Sequence, residues 1–185
     1  DYGYEAQLLE AAVNVNKNQR KLAIEKLQQV LKILKGKTIG LLGLTFKPDT
    51  DDMRDTPALD LIDELIRLGA KVKAYDPIIC DRSHQASLKD FTLADNPEEL
   101  AEGCDALVLV TDWKEFGALD YALLAGKMTN PIMIDGRNFL NPETLTNAGF
   151  TYIGIGRPTQ VNPLVEKPLT QTESSNSASN YSQVA

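Results

Sequence analysis

The residues best suited to chemistry follow the first apolar run of the chain. Residues 38–44 (TIGLLGL) are typical of a buried strand, after which the chain turns through Phe46, Lys47 and Pro48 and continues to Arg54. Aspartates fill much of this segment, at Asp49, Asp51, Asp52 and Asp55. Open α/β sheets bind ligands beyond the carboxyl ends of their strands, and a lysine charge with an arginine fork suits a diphosphate or a carboxylate. Lys47 and Arg54 are therefore candidate binding residues, although the pattern also fits a solvated loop in which both pair with the aspartates.

A second candidate segment is DGRN at residues 135–138, directly after the predicted strand 132–134. Gly136 permits a sharp turn there. Parallel strands end on the same side of a sheet, so Arg137 is expected to emerge on the same edge as Lys47.

A third segment is TDW at residues 111–113, which follows the apolar run 106–110. It is expected to reach the same edge as the other two segments. Trp113 either stacks on a ligand ring or closes the core, and packing is the simpler interpretation.

The positions of the glycines argue against dinucleotide binding at the turn after the first predicted strand. The G-x-G-x-x-G fingerprint places glycines where the pyrophosphate approaches the next helix, whereas Gly40 and Gly43 lie inside the predicted strand and residues 46–48 occupy the turn. Asp76 ends the second strand, where a ribose-binding acid would lie. Without the glycines, we predict that it shapes the turn with Pro77.

Nucleophilic and metal chemistry have little support. Cys104 stands beside the acidic Glu102 and Asp105, which would not lower its pKa, and a buried structural thiol is expected. Cys80 and His84 lie in one loop, but one cysteine and one histidine rarely make a metal site. A single histidine also leaves no support for a Ser/His/Asp triad, and no metal is expected.

The composition limits the classes of partner. With 43% apolar and 24% charged residues the chain has the character of a globular domain. Its formal charge of −7 and pI near 4.8 argue against nucleic acid or an anionic membrane as a partner.

No apolar run has the length of a membrane span, and no signal peptide is evident. Two cysteines are too few for a disulfide framework, so the cytoplasm is the expected compartment.

Alternating strand and helix patterns predict a doubly wound, parallel α/β sheet of the Rossmann-like class. Strands are predicted at residues 38–44, 71–75, 106–111, 132–134 and 152–155. Helices are predicted at residues 57–68, near 97–102, at 121–127 and at 142–148.

The two ends of the chain have a different character. Residues 5–34 lack Pro and Gly and carry an apolar face, which predicts a helix of roughly 45 Å. Such a helix either faces one core or is a spine shared between domains or subunits. The chain starts without an entry turn, as an excised fragment would. Residues 159–185 end in a Ser-, Asn- and Gln-rich run, typical of a disordered tail. The predicted divisions are residues 1–35, 36–158 and 159–185.

Four phrases of the sequence carry a family resemblance. Residues 40–77 (GLLGLTFKPDTDDMRDTPALDLIDELIRLGAKVKAYDP) closely resemble the C-terminal domain of the UDP-glucose/GDP-mannose dehydrogenase family. DALVLVTDW and IDGRNFL resemble later parts of that domain, and VNVNKNQR at residues 13–20 resembles the helix before it. The resemblance extends from the first residues to about Pro158, with phrase, order and spacing in agreement.

The resemblance implies a nucleotide-sugar dehydrogenase. Family enzymes oxidise the C6 alcohol of the sugar with two NAD molecules in succession, through a thiohemiacetal and a thioester on a catalytic cysteine. It implies that Phe46 and Lys47 contact a UDP-sugar, that Arg137 binds the substrate from a neighbouring subunit, and that Arg54 reaches toward NAD. It also implies a homodimer, or a higher homo-oligomer, built on the long helix.

The chain departs from the family pattern in one respect. The NAD fingerprint and the segment with the catalytic cysteine do not occur in it, so we expect the chain alone to be inactive. UDP-glucose is the favoured substrate, with GDP-mannose or a UDP-N-acetylhexosamine as alternatives. A stand-alone nucleotide-binding module is the alternative of a different class.

Overall fold

A single six-stranded parallel sheet organises the computed structural model, which describes residues 21–79 and 91–161. The strands are β1 (Thr38–Leu42), β2 (Lys71–Tyr75), β3 (Thr92–Leu93), β4 (Ala106–Leu109), β5 (Ile132–Asp135) and β6 (Thr151–Gly154). Their order across the sheet is β3-β2-β1-β4-β5-β6, and every adjacent pair is parallel. The predicted doubly wound, Rossmann-like class is confirmed.

Helices cover both faces of the sheet. They are α1 (residues 21–31), α2 (Pro57–Arg67), α3 (Pro97–Ala101), a 3-10 helix (Lys114–Ala118), α4 (Tyr121–Lys127) and α5 (Pro142–Asn147). Three of them begin with the same signature, because α2, α3 and α5 each start at a proline that follows a capping Thr or Asn. The proline lacks the N–H that the first turn could not satisfy, and the cap accepts from the N–H groups that follow. Within the described residues, no helix has the length and apolar character to cross a bilayer.

Alternating side chains divide the interior into two cores. Leu41 and Val108 point to the face covered by α1 and α2, whereas Leu42 and Leu109 belong to the core beneath α3, α4 and α5. Gly40 faces the second core, where an added Cβ would lie 2.5 Å from Leu107 Cδ2. Strands of this kind are apolar on both faces, which explains the continuous apolar runs of the sequence.

The order of the strands reverses between β1 and β4, which pair with Leu42 opposite Leu109. In open α/β sheets, such a switch point leaves a crevice beyond the carboxyl ends of the strands. The loops after β1, β4 and β5 all reach this edge, as expected for parallel strands.

Several predicted boundaries were wrong. The helix predicted to residue 34 ends at residue 31, because Lys32 adopts a left-handed φ of 63°. β1 ends at Leu42 rather than at residue 44, since Gly43 turns with a φ of 93° and the next N–H groups bond to a side chain. β4 ends at Leu109, because the N–H groups of Val110 and Thr111 both donate to the carbonyl oxygen of Leu42.

Other predictions fall partly outside the described residues. Residues 5–20 of the predicted helix and residues 162–185 of the predicted tail lie outside them, as do Cys80 and His84. The two-residue strand β3 was not predicted. Gln160 pairs with Tyr152 in an antiparallel bridge, so contacts with the sheet extend beyond residue 158.

Candidate functional site

A cleft of about 320 Å³ opens at the carboxyl edge of the sheet, beside the switch point. Its walls come from α1, the loop after β1, the first half of α2, the end of β4, the turn after β5 and the residue after β6. Phe46 and Arg137 both line it, together with Ala23, Gly136 and Ile155. The structure therefore brings together two of the four residues predicted to bind ligands.

Phe46 presents an aromatic side chain to this cleft and is 51% exposed. Its backbone N–H donates to the carbonyl oxygen of Asp52 at 2.8 Å, which closes the first half of the loop. An exposed ring held by its own backbone offers a flat apolar face against which a ligand ring can pack.

Arg54 is bound within its own loop. Its Nε and Nη2 atoms donate to the two carboxylate oxygens of Asp52 at 2.9 and 2.8 Å, while the arginine side chain remains 89% exposed. These hydrogen bonds hold the pKa of Asp52 at about 2, well below its ordinary value. The alternative of a solvated ion pair is thus observed for Arg54.

Lys47 behaves differently from Arg54. Among the described residues, Lys47 takes part in no ion pair, although its charge also lowers the pKa of Asp52. Asp49 and Asp55 adopt positive φ values of 61° and 55°, an uncommon backbone state that bends the loop on either side of Asp52.

A buried carboxylate organises the turn that carries Arg137. Asp135 is fully buried, and its Oδ1 accepts from the backbone N–H of Arg137 at 3.0 Å. Its Oδ2 accepts from the N–H of Leu140 at 2.8 Å and from the hydroxyl of Tyr152 at 2.9 Å. Burial, and next the charge of Asp135, raise the pKa of Tyr152 well above its ordinary range. Tyr152 therefore stays protonated and keeps donating.

Gly136 and Asn138 complete this turn. An added Cβ at Gly136 would lie 2.7 Å from the carbonyl oxygen of Leu109, so the turn fits against β4 only with glycine. Asn138 has a φ of 53°, and its side-chain amide both accepts from the N–H and donates to the carbonyl of Ile155, each at 3.0 Å. The turn is thereby joined to the end of β6, which places Ile155 in the same cleft wall as Arg137.

Asp76 lies at the end of β2, where a dinucleotide-binding domain would need a free carboxylate for the ribose. Its buried Oδ2 accepts from the N–H groups of Leu44 and Thr45, at 2.8 and 3.2 Å, and from Trp113 Nε1 at 3.2 Å. Its Oδ1 accepts from the N–H groups of Ile78 and Ile79. The prediction that Asp76 shapes its turn is confirmed, and the carboxylate is not available to a ribose.

The turn after β1 does not fit the dinucleotide pattern either. An added Cβ at Gly43 would lie 2.5 Å from Thr111 Cβ, so this glycine accommodates the loop after β4 rather than a pyrophosphate. Trp113 is buried in the second core, which confirms the packing role expected for it.

Cys104 is a structural thiol, as predicted. It is fully buried, its Sγ donates to the carbonyl of Leu100 at 2.9 Å, and burial raises the pKa of its thiol to about 11. Within residues 21–79 and 91–161, no cluster of His, Cys, Asp and Glu has the makings of a metal site.

Sequence reasoning missed one contact at the site. Arg137 Nε donates to Asp112 Oδ1 at 3.0 Å, which joins the loops after β4 and β5. The signal was present, since TDW and DGRN were both expected at this edge, and one contains an aspartate and the other an arginine.

The fold and the cleft together define a doubly wound ligand-binding domain without the dinucleotide turn. Residues 40–142 match the model of the UDP-glucose/GDP-mannose dehydrogenase family, UDP binding domain. The chain belongs to this family.

Individual relatives agree with this assignment. The chain is 41% identical over 162 residues to a UDP-glucose 6-dehydrogenase of Pseudomonas aeruginosa, an alignment that covers 84% of this chain and 36% of the relative. Its fold is similar to a UDP-glucose dehydrogenase of Pyrobaculum islandicum, with a TM-score of 0.71 and 25% identity over 84% of this chain and 34% of that one. A UDP-D-ManNAc dehydrogenase of Pyrococcus horikoshii follows with a TM-score of 0.68 and 28% identity, over 85% of this chain and 35% of that one. The chain thus spans about a third of the length of these relatives.

Proposed function

We propose that this chain is the nucleotide-sugar-binding part of a UDP-glucose 6-dehydrogenase, an enzyme that oxidises UDP-glucose to UDP-glucuronate with NAD. The observation that carries the proposal is the shared cleft of Phe46 and Arg137 at the switch point of the sheet. Its volume of about 320 Å³ lies within the range of small-molecule sites. The 41% identity to a UDP-glucose 6-dehydrogenase supports this choice of substrate.

The proposed binding residues contact different parts of the ligand. Phe46 packs against a ring of the nucleotide sugar, and Arg137, which lines the same cleft, donates to its oxygen atoms. Lys47 adds a positive charge that forms no ion pair among the described residues and is therefore free to meet a phosphate.

Arg54 is proposed to reach toward NAD once the rest of the enzyme is present. It first has to leave Asp52, but an ion pair between exposed groups contributes little to stability, so the exchange costs little. Since Asp76 and Gly43 do not fit a dinucleotide, the main NAD site belongs to another part of the parent enzyme. NAD bound at that site would serve as the hydride acceptor, and this chain contributes substrate binding.

The catalytic cysteine is proposed to lie outside this chain as well. Cys104 is buried with a raised pKa, so it offers no thiolate near neutral pH. We expect the purified chain to show no NAD-dependent oxidation of UDP-glucose. Turnover that survives replacement of both Cys80 and Cys104 by Ala would contradict this expectation.

The experiment that tests the site uses the parent dehydrogenase. Lys47→Ala and Arg137→Ala should each lower kcat/KM for UDP-glucose on the order of tenfold to a hundredfold, the range of a charge-assisted contact. The melting temperature should stay nearly unchanged, because neither side chain is part of the buried cores. Asp95→Ala, on an exposed connection, is the matched control and should change neither quantity. If Lys47→Ala unfolds the enzyme while its folded fraction keeps full efficiency, the loop is structural.

A related nucleotide-sugar dehydrogenase is the second candidate. The likeness to a UDP-D-ManNAc dehydrogenase, at 28% identity and a TM-score of 0.68, favours it. The ratio of kcat/KM values for UDP-glucose and UDP-N-acetylmannosamine in the parent enzyme distinguishes the two.

We also propose a cytoplasmic homodimer, or a higher homo-oligomer, in which the first helix provides the interface. The support is the apolar face that the sequence predicts along residues 5–34, of which the structure describes a helix at residues 21–31. Sedimentation should show association of the chain that depends on concentration, and a strictly monomeric chain at high concentration would contradict it.

A further inference from the structure

We propose that Asp112 is a positioning residue for Arg137: it holds the guanidinium by one N–H at the cleft wall and leaves the others for the oxygen atoms of a ligand. The ligand class is one that carries phosphate, carboxylate or hydroxyl oxygens. The inference rests on the function proposed above, because it assumes that Arg137 contacts the nucleotide sugar.

The contact between the two residues uses only part of the guanidinium. Arg137 Nε lies 3.0 Å from Asp112 Oδ1, in a single hydrogen bond. A guanidinium carries five N–H donors, and within the described part of the chain no other acceptor bonds to this one. Four donors therefore remain for a ligand in the cleft that Arg137 lines.

Asp112 itself stands on a fixed backbone. The hydroxyl of Thr111 donates to the carbonyl of Thr45 at 2.6 Å, and Trp113 Nε1 donates to Asp76 at 3.2 Å, so both neighbours are tied to other loops. Asp112 is not part of the wall of the cleft as the described residues form it. Its carboxylate can therefore hold Arg137 from behind without meeting the ligand.

The backbone of Arg137 is equally constrained. Its N–H bonds to buried Asp135, and Gly136 packs against β4. The remaining freedom of Arg137 lies in its side-chain torsions, and the hydrogen bond to Asp112 restricts these. Since Arg137 is 42% exposed, the ion pair contributes little to folding. Its benefit is that the side chain loses less entropy on binding.

The direction in which ligand affinity changes when Asp112 is removed distinguishes a positioning role from a purely electrostatic one. A carboxylate beside an anionic ligand repels it, so removing Asp112 should strengthen binding if charge alone matters. If Asp112 positions Arg137, removing it should weaken binding. The two accounts predict opposite changes for one substitution.

The test measures the affinity of the parent dehydrogenase for UDP-glucose by calorimetry. Asp112→Ala should weaken binding by about twofold to tenfold, the cost of ordering one long side chain. Asp112→Asn keeps an acceptor oxygen and should restore most of the affinity. In an Arg137→Ala background, Asp112→Ala should have no further effect. Asp95→Ala is the control, and melting temperatures are measured for every variant.

The outcomes separate this inference from the function on which it rests. Unchanged or tighter binding by Asp112→Ala, with weaker binding by Arg137→Ala, overturns the positioning role alone. Equal losses with and without Arg137 also overturn it, as does a loss in both Asp112 variants with lower melting temperatures. If the wild-type dehydrogenase does not bind UDP-glucose, or its Arg137→Ala variant binds as the wild type does, the proposed function of the cleft fails first.

Discussion

The loop between β1 and α2 and the turn after β5 both bring an arginine to the carboxyl edge of the sheet, and the aspartates that hold the two arginines differ in burial. Arg137 follows a fully buried aspartate by two residues, and its own backbone N–H is bonded to that carboxylate. Arg54 likewise follows an aspartate by two residues and its backbone N–H also donates to that carboxylate, at 3.0 Å, but Asp52 is partly exposed and lies in the same loop as Arg54. One arginine is anchored to the sheet and the other only to its neighbour.

The difference predicts different tasks for the two residues. A cation on a fixed turn is already oriented for a ligand and loses little conformational entropy on binding. A cation in an exposed local pair can move with its loop when another surface approaches. The structure thus favours Arg137 as the recognition residue and leaves Arg54 suited to a contact that forms later, with a group outside this domain.

The largest expected effect comes from removing the anchor of the β5 turn. Asp135→Ala takes the acceptor from Tyr152 and from two backbone N–H groups; the bonds of Tyr152 and Leu140 are buried, and that of Arg137 is partly buried. The free energy of unfolding should fall by about 3–5 kcal/mol, since hydrogen bonds to a charged group are strong and unsatisfied buried donors are costly. Urea denaturation measures it, with Asp95→Ala as the exposed control. Equal stabilities of the two variants would show that Asp135 is not the anchor.

An intermediate loss of stability is expected on replacing Asn138. Two variants distinguish the contribution of backbone strain from that of hydrogen bonding. Asn138→Gly permits the φ of 53° but loses both hydrogen bonds to Ile155, so the free energy of unfolding should fall by about 1–2 kcal/mol. Asn138→Ala also has to enter the left-handed region and should be about 1 kcal/mol less stable than the glycine variant. Thermal or urea denaturation of both variants measures the difference. An alanine variant as stable as the glycine variant would mean that the turn tolerates another backbone conformation.

The contrast between the two arginines also shows what the sequence can reveal. The strand and helix alternation, and the capping residue with proline before α2, α3 and α5, are local signals, and the fold class follows from them. The convergence of the three polar segments follows from the rule that parallel strands end on one side. The common edge of Phe46 and Arg137 is therefore predictable from the amino-acid sequence alone.

The anchoring of these segments could not be predicted in the same way. Tyr152 bonds to Asp135 across 17 positions of sequence, and Trp113 bonds to Asp76 across 37. Composition and periodicity carry no information about such distant pairs. The two residues of β3 are too short to show a period, and the ends of β1 and β4 depend on side chains and glycine turns rather than on apolar runs.

The smallest effect is expected in the β1–α2 loop, where it is visible as a titration rather than as a loss of stability. Hydrogen bonds from Arg54 lower the pKa of Asp52 from 3.8 to about 2. Because the folded-state pKa is depressed, the stabilising contribution of this pair is present above pH about 4 and is lost as the pH falls through about 2. Carboxyl ¹³C NMR of the 185-residue chain should record the low midpoint for Asp52. Arg54→Ala should return it toward 3.8, while the melting temperature at neutral pH stays nearly unchanged, because both partners face solvent. If Asp52 titrates near 3.8 with Arg54 in place, the pair does not form in solution, and the contrast between a locally paired and a sheet-anchored arginine is lost.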